Sequence, residues 1–194
     1  MRYIDLFGGI GGFRLGIERA IKSKMGETVR IGSNLDGGNE SYTFPNTIAK
    51  SRKWKCVWYC DNDKYAVQTY NKNFGENYLP TDITKVEAGQ IPDFDVLCAG
   101  FPCQSFSIAG KRKGFDDTRG TLFFEICRII EYHRPKLVFL ENVKGLLSHD
   151  EGKTMRIICE SLNNLGYIVN YEVYNSKNFG VPQNRERVFI LGTN

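Results

Sequence analysis

The sequence has no apolar run of the length that crosses a membrane, and it contains only 2 histidines. Hydrophobic residues make up 41% and charged residues 25% of its 194 residues, as in ordinary globular proteins. The first residues enter an apolar segment directly, without signal-peptide architecture. We therefore expect one compact domain over residues 1–194, located in the cytosol and not associated with a membrane.

Metal-ligand and disulfide patterns are missing as well. The six cysteines, at positions 56, 60, 98, 103, 127 and 159, include no Cys-x-x-Cys pair. Neither His133 nor His149 has a partner at ligand spacing, which argues against a zinc site. Several cysteines fall inside apolar segments, so reduced thiols are favoured over disulfides, and we expect no bound metal.

Strand and helix patterns alternate along the chain. Apolar segments of strand length begin near residues 2, 55, 94, 136, 167 and 188, and helical periodicity occupies most of the intervals. This alternation predicts an α/β fold with a mainly parallel sheet and helices on both faces. Open sheets of this kind bind ligands at the carboxyl ends of their strands.

One long segment, residues 25–53, lacks periodicity and is rich in Gly, Asn, Ser, Thr and Lys. We expect an inserted loop there. From residue 19 to residue 55, eight Lys and Arg stand against three Asp and Glu, a local balance of +5 in a chain of net charge +4. This excess is compatible with a surface that faces phosphates and with a solvated loop.

A glycine-rich turn, GGIGG at residues 8–12, joins the first strand to a helix. Glycine lets the backbone approach a ligand closely, and the helix N-terminus offers unpaired N–H groups. The spacing is not GxGxxG, because Arg14 occupies the place of the third glycine, so a dinucleotide enzyme is disfavoured. A turn that serves packing alone is the alternative.

Carboxylates follow several of the predicted strands. Asp61 follows the second strand, Asp82 ends a short extended segment, and Glu141 ends the strand that begins near residue 136. An acid after the second strand is placed to bind ribose hydroxyls, and Asp61 is the candidate. The alternative is that this acidic segment only caps the next helix, through Asp63.

Cys103 lies in the string FPCQSFS at residues 101–107, directly after a predicted buried strand. Its position at a strand end offers the thiol to a ligand, whereas an isolated cysteine is more often a packed apolar residue. The string GKRKG at residues 110–114 carries three cations, which fit either a polyanion or a solvated loop.

Six strings taken together resemble the DNA cytosine-5 methyltransferases. In the family's order they are DLF with its glycines, DND at 61–63, TDI at 81–83, GFPCQ at 100–104, ENV at 141–143 and QNRER at 183–187. The resemblance covers the chain except for the insert. It implies a Rossmann-like S-adenosylmethionine-dependent methyltransferase fold that methylates carbon 5 of cytosine in double-stranded DNA, in a restriction-modification system.

The resemblance also implies a cofactor site. Its residues are Phe7, Gly9, Ile10, Gly11, Gly12, Asp61, Asn62, Asp82, Ile83, Gly100, Pro102 and Leu122. Asp61 would bind the ribose of S-adenosylmethionine, and Asp82 with Ile83 would bind the adenine. The family usually has an apolar or aromatic residue after the ribose acid, so Asn62 departs from it where the adenine is stacked.

The implied catalytic residues are Cys103, Glu141, Arg185 and Arg187, and the implied substrate contacts are Gln104, Ser107 and Asn142. The Cys103 thiolate would add to carbon 6 of cytosine and so make carbon 5 nucleophilic. Glu141 would hydrogen-bond or protonate ring nitrogen 3. The target base must leave the duplex to reach this site.

In the family a target-recognition domain follows the arginine string, whereas this sequence ends at residue 194. We therefore expect a partner chain that carries the recognition domain. The alternatives are an inactive fragment, a non-catalytic interaction protein on the same fold and a tRNA cytosine-5 methyltransferase. A cysteine hydrolase is disfavoured because neither histidine lies in a motif.

Overall fold

The computed structural model describes residues 1–24, 54–102 and 122–194. Its six strands form one sheet in the order β2-β1-β3-β4-β6-β5. The strands are β1 (Arg2–Leu6), β2 (Lys55–Cys60), β3 (Val96–Ala99), β4 (Leu137–Val143), β5 (Ile168–Asn175) and β6 (Glu186–Thr193). The helices are α1 (Gly12–Lys24), α2 (Lys64–Phe74), α3 (Leu122–His133) and α4 (Lys153–Asn164).

The first four strands are parallel, whereas β6 is antiparallel to both β4 and β5. The prediction of an α/β fold with a mainly parallel sheet is therefore confirmed. The last strand begins at Glu186, before the start predicted near residue 188 from apolar residues. Ladders to β4 and β5 extend it to Glu186 and Thr193, because hydrogen bonding on both edges compensates for a polar sequence.

The first face of the sheet is covered by α3 and α4. Fully buried residues of β1, β3 and β4, such as Ile4, Leu97 and Leu140, form one core with Ile129 of α3 and Ile158 of α4. The carboxyl ends of these parallel strands are thereby fixed along one edge, because each strand is held by its neighbours and by the helices beneath it.

The second face is covered only in part. On β1 and β3 it carries Tyr3 and Cys98, which pack with Phe13 of α1, and on β2 it carries Tyr59, which packs with Tyr70 of α2. On the outer strands the same face leaves Ile168 72% exposed and Leu191 37% exposed. Phe13 of α1 still contacts Phe139 of β4, so within the described residues the apolar part of this face that lacks a covering helix lies over β6 and β5.

Two local details of the chain differ from expectation or decide between alternatives. Asp63 accepts hydrogen bonds from the backbone N–H groups of Tyr65 and Ala66, so it does cap α2, and Asp61 is left for another role. The extended segment before Asp82 forms no strand in the part of the chain described. Asp82 instead begins a short 3-10 helix, Ile83–Lys85. No helix among the described residues is long and apolar enough to cross a membrane.

Candidate active site

The glycine loop is fixed by two residues at the end of β2. The Gly9 N–H donates to Asp61 Oδ2 at 2.9 Å, and the Tyr59 hydroxyl donates to the Gly9 carbonyl at 2.8 Å. Burial raises the pKa of Tyr59, so its hydroxyl remains a proton donor. Gly9 has φ of 54° and Gly11 has φ of 96°, conformations that favour glycine. The loop geometry thus depends on β2 as much as on its own sequence.

Asp61 retains acceptor capacity for a ligand. Its Oδ1 accepts the Asp63 N–H at 2.9 Å, and its Oδ2 accepts the Gly9 N–H. A carboxylate has about four lone-pair sites. Both oxygens can therefore still accept hydrogen bonds from a pair of ligand hydroxyls.

A cavity of about 330 Å³ opens beside Asp61, within the usual size range of small-molecule sites. Eight of the twelve predicted cofactor residues line it, together with two that were not predicted. The lining residues are Phe7, Cys60, Asp61, Asn62, Thr81, Asp82, Ile83, Gly100, Pro102 and Leu122. Gly9, Ile10, Gly11 and Gly12 are not among them, and the Ile10 side chain is 61% exposed.

Hydrogen bonds from Thr84 and Arg128 hold the segment of the cavity wall that contains Asp82 and Ile83. Asp82 accepts hydrogen bonds from the N–H and hydroxyl of Thr84, which lower its pKa and keep it ionised. Arg128 of α3 donates to the carbonyls of Ile83 and Val86, at 3.3 and 2.8 Å. Arg128 was not predicted, because nothing in the local sequence of α3 indicates which loop its side chain reaches.

Cys60 and Thr81 are the two unpredicted lining residues. The Cys60 thiol lies 3.4 Å from the Thr81 carbonyl, and burial raises its pKa to about 12. Cys60 is therefore a neutral wall residue and not a nucleophile. Successive side chains of a strand point to opposite faces, so Cys60 points to the same face of the sheet as Trp58. This alternation along β2 is the sequence signal that could have identified Cys60 as a wall residue.

A second cavity, of about 500 Å³, lies over β4 and β6. It is lined by Phe139, Glu141, Tyr174, Ser176, Phe179, Val181, Arg185, Arg187 and Phe189. Arg187 Nε lies 2.9 Å from Glu141 Oε1, and both side chains are about one-fifth exposed, at 21% and 24%. The predicted catalytic residues Glu141, Arg185 and Arg187 thus share one pocket with a wall of aromatic rings.

Gly100 brings the first cavity close to Glu141, a residue of the second cavity. Gly100 lines the first cavity, and a Cβ placed on it would lie 3.4 Å from Glu141 Oε2. A larger side chain would therefore press on the carboxylate. Gly100 therefore keeps the space beside this carboxylate free of a side chain of its own.

Asn142 was predicted to contact the substrate, but its side chain is buried. Its Nδ2 donates to the Phe101 carbonyl at 2.9 Å, and its Oδ1 accepts the Val143 N–H. Asn142 is only 3% exposed, so in the structure it supports the backbone that leads to position 103. Asn175 has a similar role, because its Oδ1 accepts the Arg185 N–H at 3.2 Å.

Three predicted site residues, Cys103, Gln104 and Ser107, lie outside the described residues, as do the insert at 25–53 and the cations at 110–114. The other cysteines, at positions 56, 60, 98, 127 and 159, are free thiols. No cluster of three or more His, Cys, Asp or Glu suited to a metal occurs in segments 1–24, 54–102 and 122–194.

Comparison with known proteins decides the family. The family model of the C-5 cytosine-specific DNA methylases matches residues 1–194. The chain belongs to the C-5 cytosine-specific DNA methylase family. The resemblance inferred from the six strings is thereby confirmed.

Curated relatives of this DNA methylase chain are type II methyltransferases. It is 44% identical over 191 residues to M.HhaI of Haemophilus parahaemolyticus, covering 98% of this chain and 48% of the relative. It is 48% identical over 195 residues to M.HpaII of Haemophilus parainfluenzae, covering 98% and 45%. The chain therefore spans about half the length of the curated relatives it matches.

Solved structures show the same fold at lower identity. The Dnmt2 methyltransferase of S. pombe superposes with a TM-score of 0.66 at 21% identity, over 100% of this chain and 49% of the other. The Entamoeba histolytica methyltransferase EhMeth gives a TM-score of 0.60 at 19% identity, over 100% and 52%. The expected Rossmann-like methyltransferase fold is confirmed.

Replacing Tyr59 tests whether β2 fixes the glycine loop of this methylase. Tyr59→Phe removes the hydrogen bond to Gly9 and keeps the ring, which stacks on Tyr70 at a centroid distance of 3.7 Å. We expect a loss of about 1 kcal/mol in the free energy of unfolding, measured by urea denaturation. We also expect faster amide exchange in residues 8–12.

Tyr65→Phe is the matched control, because Tyr65 is 67% exposed on α2. It should leave both quantities unchanged. Equal amide exchange in the glycine loop of the wild type and Tyr59→Phe would show that the hydroxyl does not hold the loop.

Proposed function

We propose that this chain is the cofactor-binding and catalytic half of a DNA cytosine-5 methyltransferase of the restriction-modification type. It would transfer a methyl group from S-adenosylmethionine to carbon 5 of cytosine in double-stranded DNA. One observation carries the proposal. The residues that the family resemblance assigns to the cofactor line one cavity, and at Gly100 this cavity adjoins the carboxylate assigned to the base.

The residues of the first cavity fit S-adenosylmethionine. Asp61 has spare lone pairs for two ribose hydroxyls, and Ile83 offers a buried apolar surface for the adenine. Asp82 is ionised and accepts hydrogen bonds. When bound, the cofactor supplies a methyl group on a positively charged sulfur. Asn62 provides an amide at the adenine in place of an apolar surface, which reduces stacking.

The residues of the second cavity fit a cytosine. Cys103 forms a bond to carbon 6, and the electron pair displaced from the ring makes carbon 5 nucleophilic. Glu141 hydrogen-bonds ring nitrogen 3 and so draws charge from the ring. Arg187 positions Glu141 through the 2.9 Å ion pair. Once carbon 5 carries the methyl group, loss of its proton expels the Cys103 thiolate.

Double-stranded DNA is the proposed substrate, and the base would enter the pocket flipped out of the helix. Carbons 5 and 6 of a stacked cytosine are out of reach of a thiol in a pocket. Arg185 and Arg187 place two cations at the mouth of the second cavity, where they complement the phosphates that flank an extruded nucleotide.

A second polypeptide part is proposed to complete the enzyme and to read the DNA sequence. The uncovered apolar part of the second face supports this, because Ile168 and Leu191 are exposed there beside Phe189. Exposed apolar surface of this kind favours association. The curated relatives, about twice as long, contain additional chain that this face could hold.

Cofactor binding tests the first part of the proposal. Asp61→Asn removes the charge and one acceptor, and a hydrogen bond to a charged group is worth about 1.5–3 kcal/mol. We expect the Kd for S-adenosylmethionine, measured by isothermal titration calorimetry, to rise at least about tenfold. Asp150→Asn, at an exposed position outside both cavities, should leave the Kd unchanged. Equal affinity of Asp61→Asn and the wild type would remove Asp61 from the cofactor site.

A covalent trap tests the chemistry. A duplex with 5-fluorocytosine in place of the target base lacks the carbon 5 proton, so the enzyme should remain bonded to it in the presence of S-adenosylmethionine. We expect the adduct on a denaturing gel when the missing part of the enzyme is supplied. Cys103→Ser should abolish it, and Cys159→Ser should not. An adduct that persists in Cys103→Ser would exclude this nucleophile.

The uncovered part of the second face can be tested with a relative. The part of M.HhaI that this chain does not match is coexpressed with the tagged chain. We expect the two to copurify and Leu191→Asp to reduce the recovered partner about tenfold or more, since a buried unpaired charge is strongly disfavoured. Leu79→Asp, at a position 78% exposed, is the control. Equal recovery with Leu191→Asp would place the interface elsewhere.

A further inference from the structure

Asp5 is a buried carboxyl group for which the proposed mechanism has no use. It lies in β1, between β2 and β3, and is 0% exposed. Among the described residues, neither of its carboxyl oxygens accepts a hydrogen bond of normal geometry, and the backbone N–H of Arg14 is the one donor that acts on it. Buried polar groups are nearly always paired, so this exception calls for an explanation.

The carboxyl group lies directly beneath the glycine loop. A Cβ placed on Gly8 would lie 2.7 Å from Asp5 Cγ and 2.8 Å from Asp5 Oδ2, and also 2.8 Å from Tyr59 Cε2. Gly8 precedes Gly9, whose N–H is bound to Asp61. The Asp5 side chain is therefore part of the surface on which the loop rests, and a movement of this side chain is transmitted to the loop.

The surroundings of Asp5 do not support a negative charge. Arg14 is the cation that acts on it, but this guanidinium is already paired with Glu18 and Glu76, each at 2.9 Å. Asp61 adds a second negative charge nearby. The other titratable groups that interact with Asp5 are Tyr3, Cys56, Tyr59, Tyr70 and Cys98. These groups are neutral, because burial raises the pKa of each.

Burial is the largest influence on Asp5 and raises its pKa from 3.8 to about 7. The charge and the backbone N–H of Arg14 act in the opposite direction and do not outweigh it. The chain therefore folds around a carboxyl group that carries a proton below neutral pH.

We propose that Asp5 is a positioning residue whose neutral form supports the glycine loop, so that loss of its proton loosens residues 8–12 and weakens cofactor binding. The consequence for the cofactor rests on the proposed function. The effect on the loop does not, because it follows from the burial of Asp5 and from its position against Gly8.

The direction of the pH dependence follows from linkage. Between about pH 4 and pH 7 the folded chain retains a proton on Asp5 that the unfolded chain has lost, so stability falls as pH rises through this window. Above about pH 7 the loss is complete and stability no longer changes through this group. Loop protection and cofactor affinity are properties of the folded chain alone. They therefore change near and above pH 7, where the folded chain loses the Asp5 proton.

Asp5→Asn provides a neutral side chain of the same shape at every pH. We expect its Tm to rise relative to the wild type from pH 5 to pH 7 and then to keep a constant offset. Asp95→Asn is the matched control. The Arg2 N–H lowers the pKa of Asp95, so the Tm offset of this variant should not vary between pH 5 and pH 9. If Asp5→Asn does not fold, Asp5→Leu provides a second neutral variant.

The deciding measurements are amide exchange in residues 8–12 and the Kd for S-adenosylmethionine, from pH 6 to pH 9. In the wild type, loop protection should fall and Kd should rise about tenfold per pH unit above pH 7 relative to Asp5→Asn. Parallel pH profiles of loop protection in the two proteins would overturn the proposal. The wild type could instead show pH-dependent amide exchange in residues 8–12 and no binding of S-adenosylmethionine. This result would confirm that Asp5 supports the loop and would overturn the proposed function.

Discussion

The Gly9 peptide, held at both ends by residues of the second strand, is the constraint on which the first cavity depends. Its N–H is bound by the Asp61 carboxylate and its carbonyl by the Tyr59 hydroxyl. Asp61 can hold the loop and still accept hydrogen bonds from a ligand, because a carboxylate has more acceptor sites than the two backbone donors occupy. In the proposed cofactor site, loop geometry and ligand recognition therefore share one side chain, so Asp61→Asn is expected to change both.

Parallel strand pairing explains why distant parts of the sequence meet at this point. β1, β2, β3 and β4 all end on one edge, so the residues that follow them converge there. The antiparallel β6 enters the same edge from the opposite direction. Its first residues therefore bring Arg187 to Glu141 at the end of β4. One edge of the sheet thus holds the proposed cofactor cavity and a second, aromatic cavity beside it.

Much of this arrangement was predictable from the sequence, because strand periodicity and strand-end residues follow local rules. The residues after the strands, such as Asp61 and Glu141, were identified in this way. Arg128 and Asn175 were not, because each reaches a loop far along the chain and leaves no local pattern. Asn142 was predicted to contact the substrate, and in the structure its side chain donates to the Phe101 carbonyl, a contact that depends on side-chain direction and that the sequence does not indicate.

The two cavities differ in how far the described residues enclose them. The first is enclosed by described residues that hydrogen-bond to one another, so its shape follows from the fold of this chain. The second includes aromatic rings on a sheet face where Ile168 and Leu191 remain exposed, and no described helix covers this face of β5 and β6. The proposed base site therefore depends on a cover that the described residues do not supply, whereas the proposed cofactor site does not.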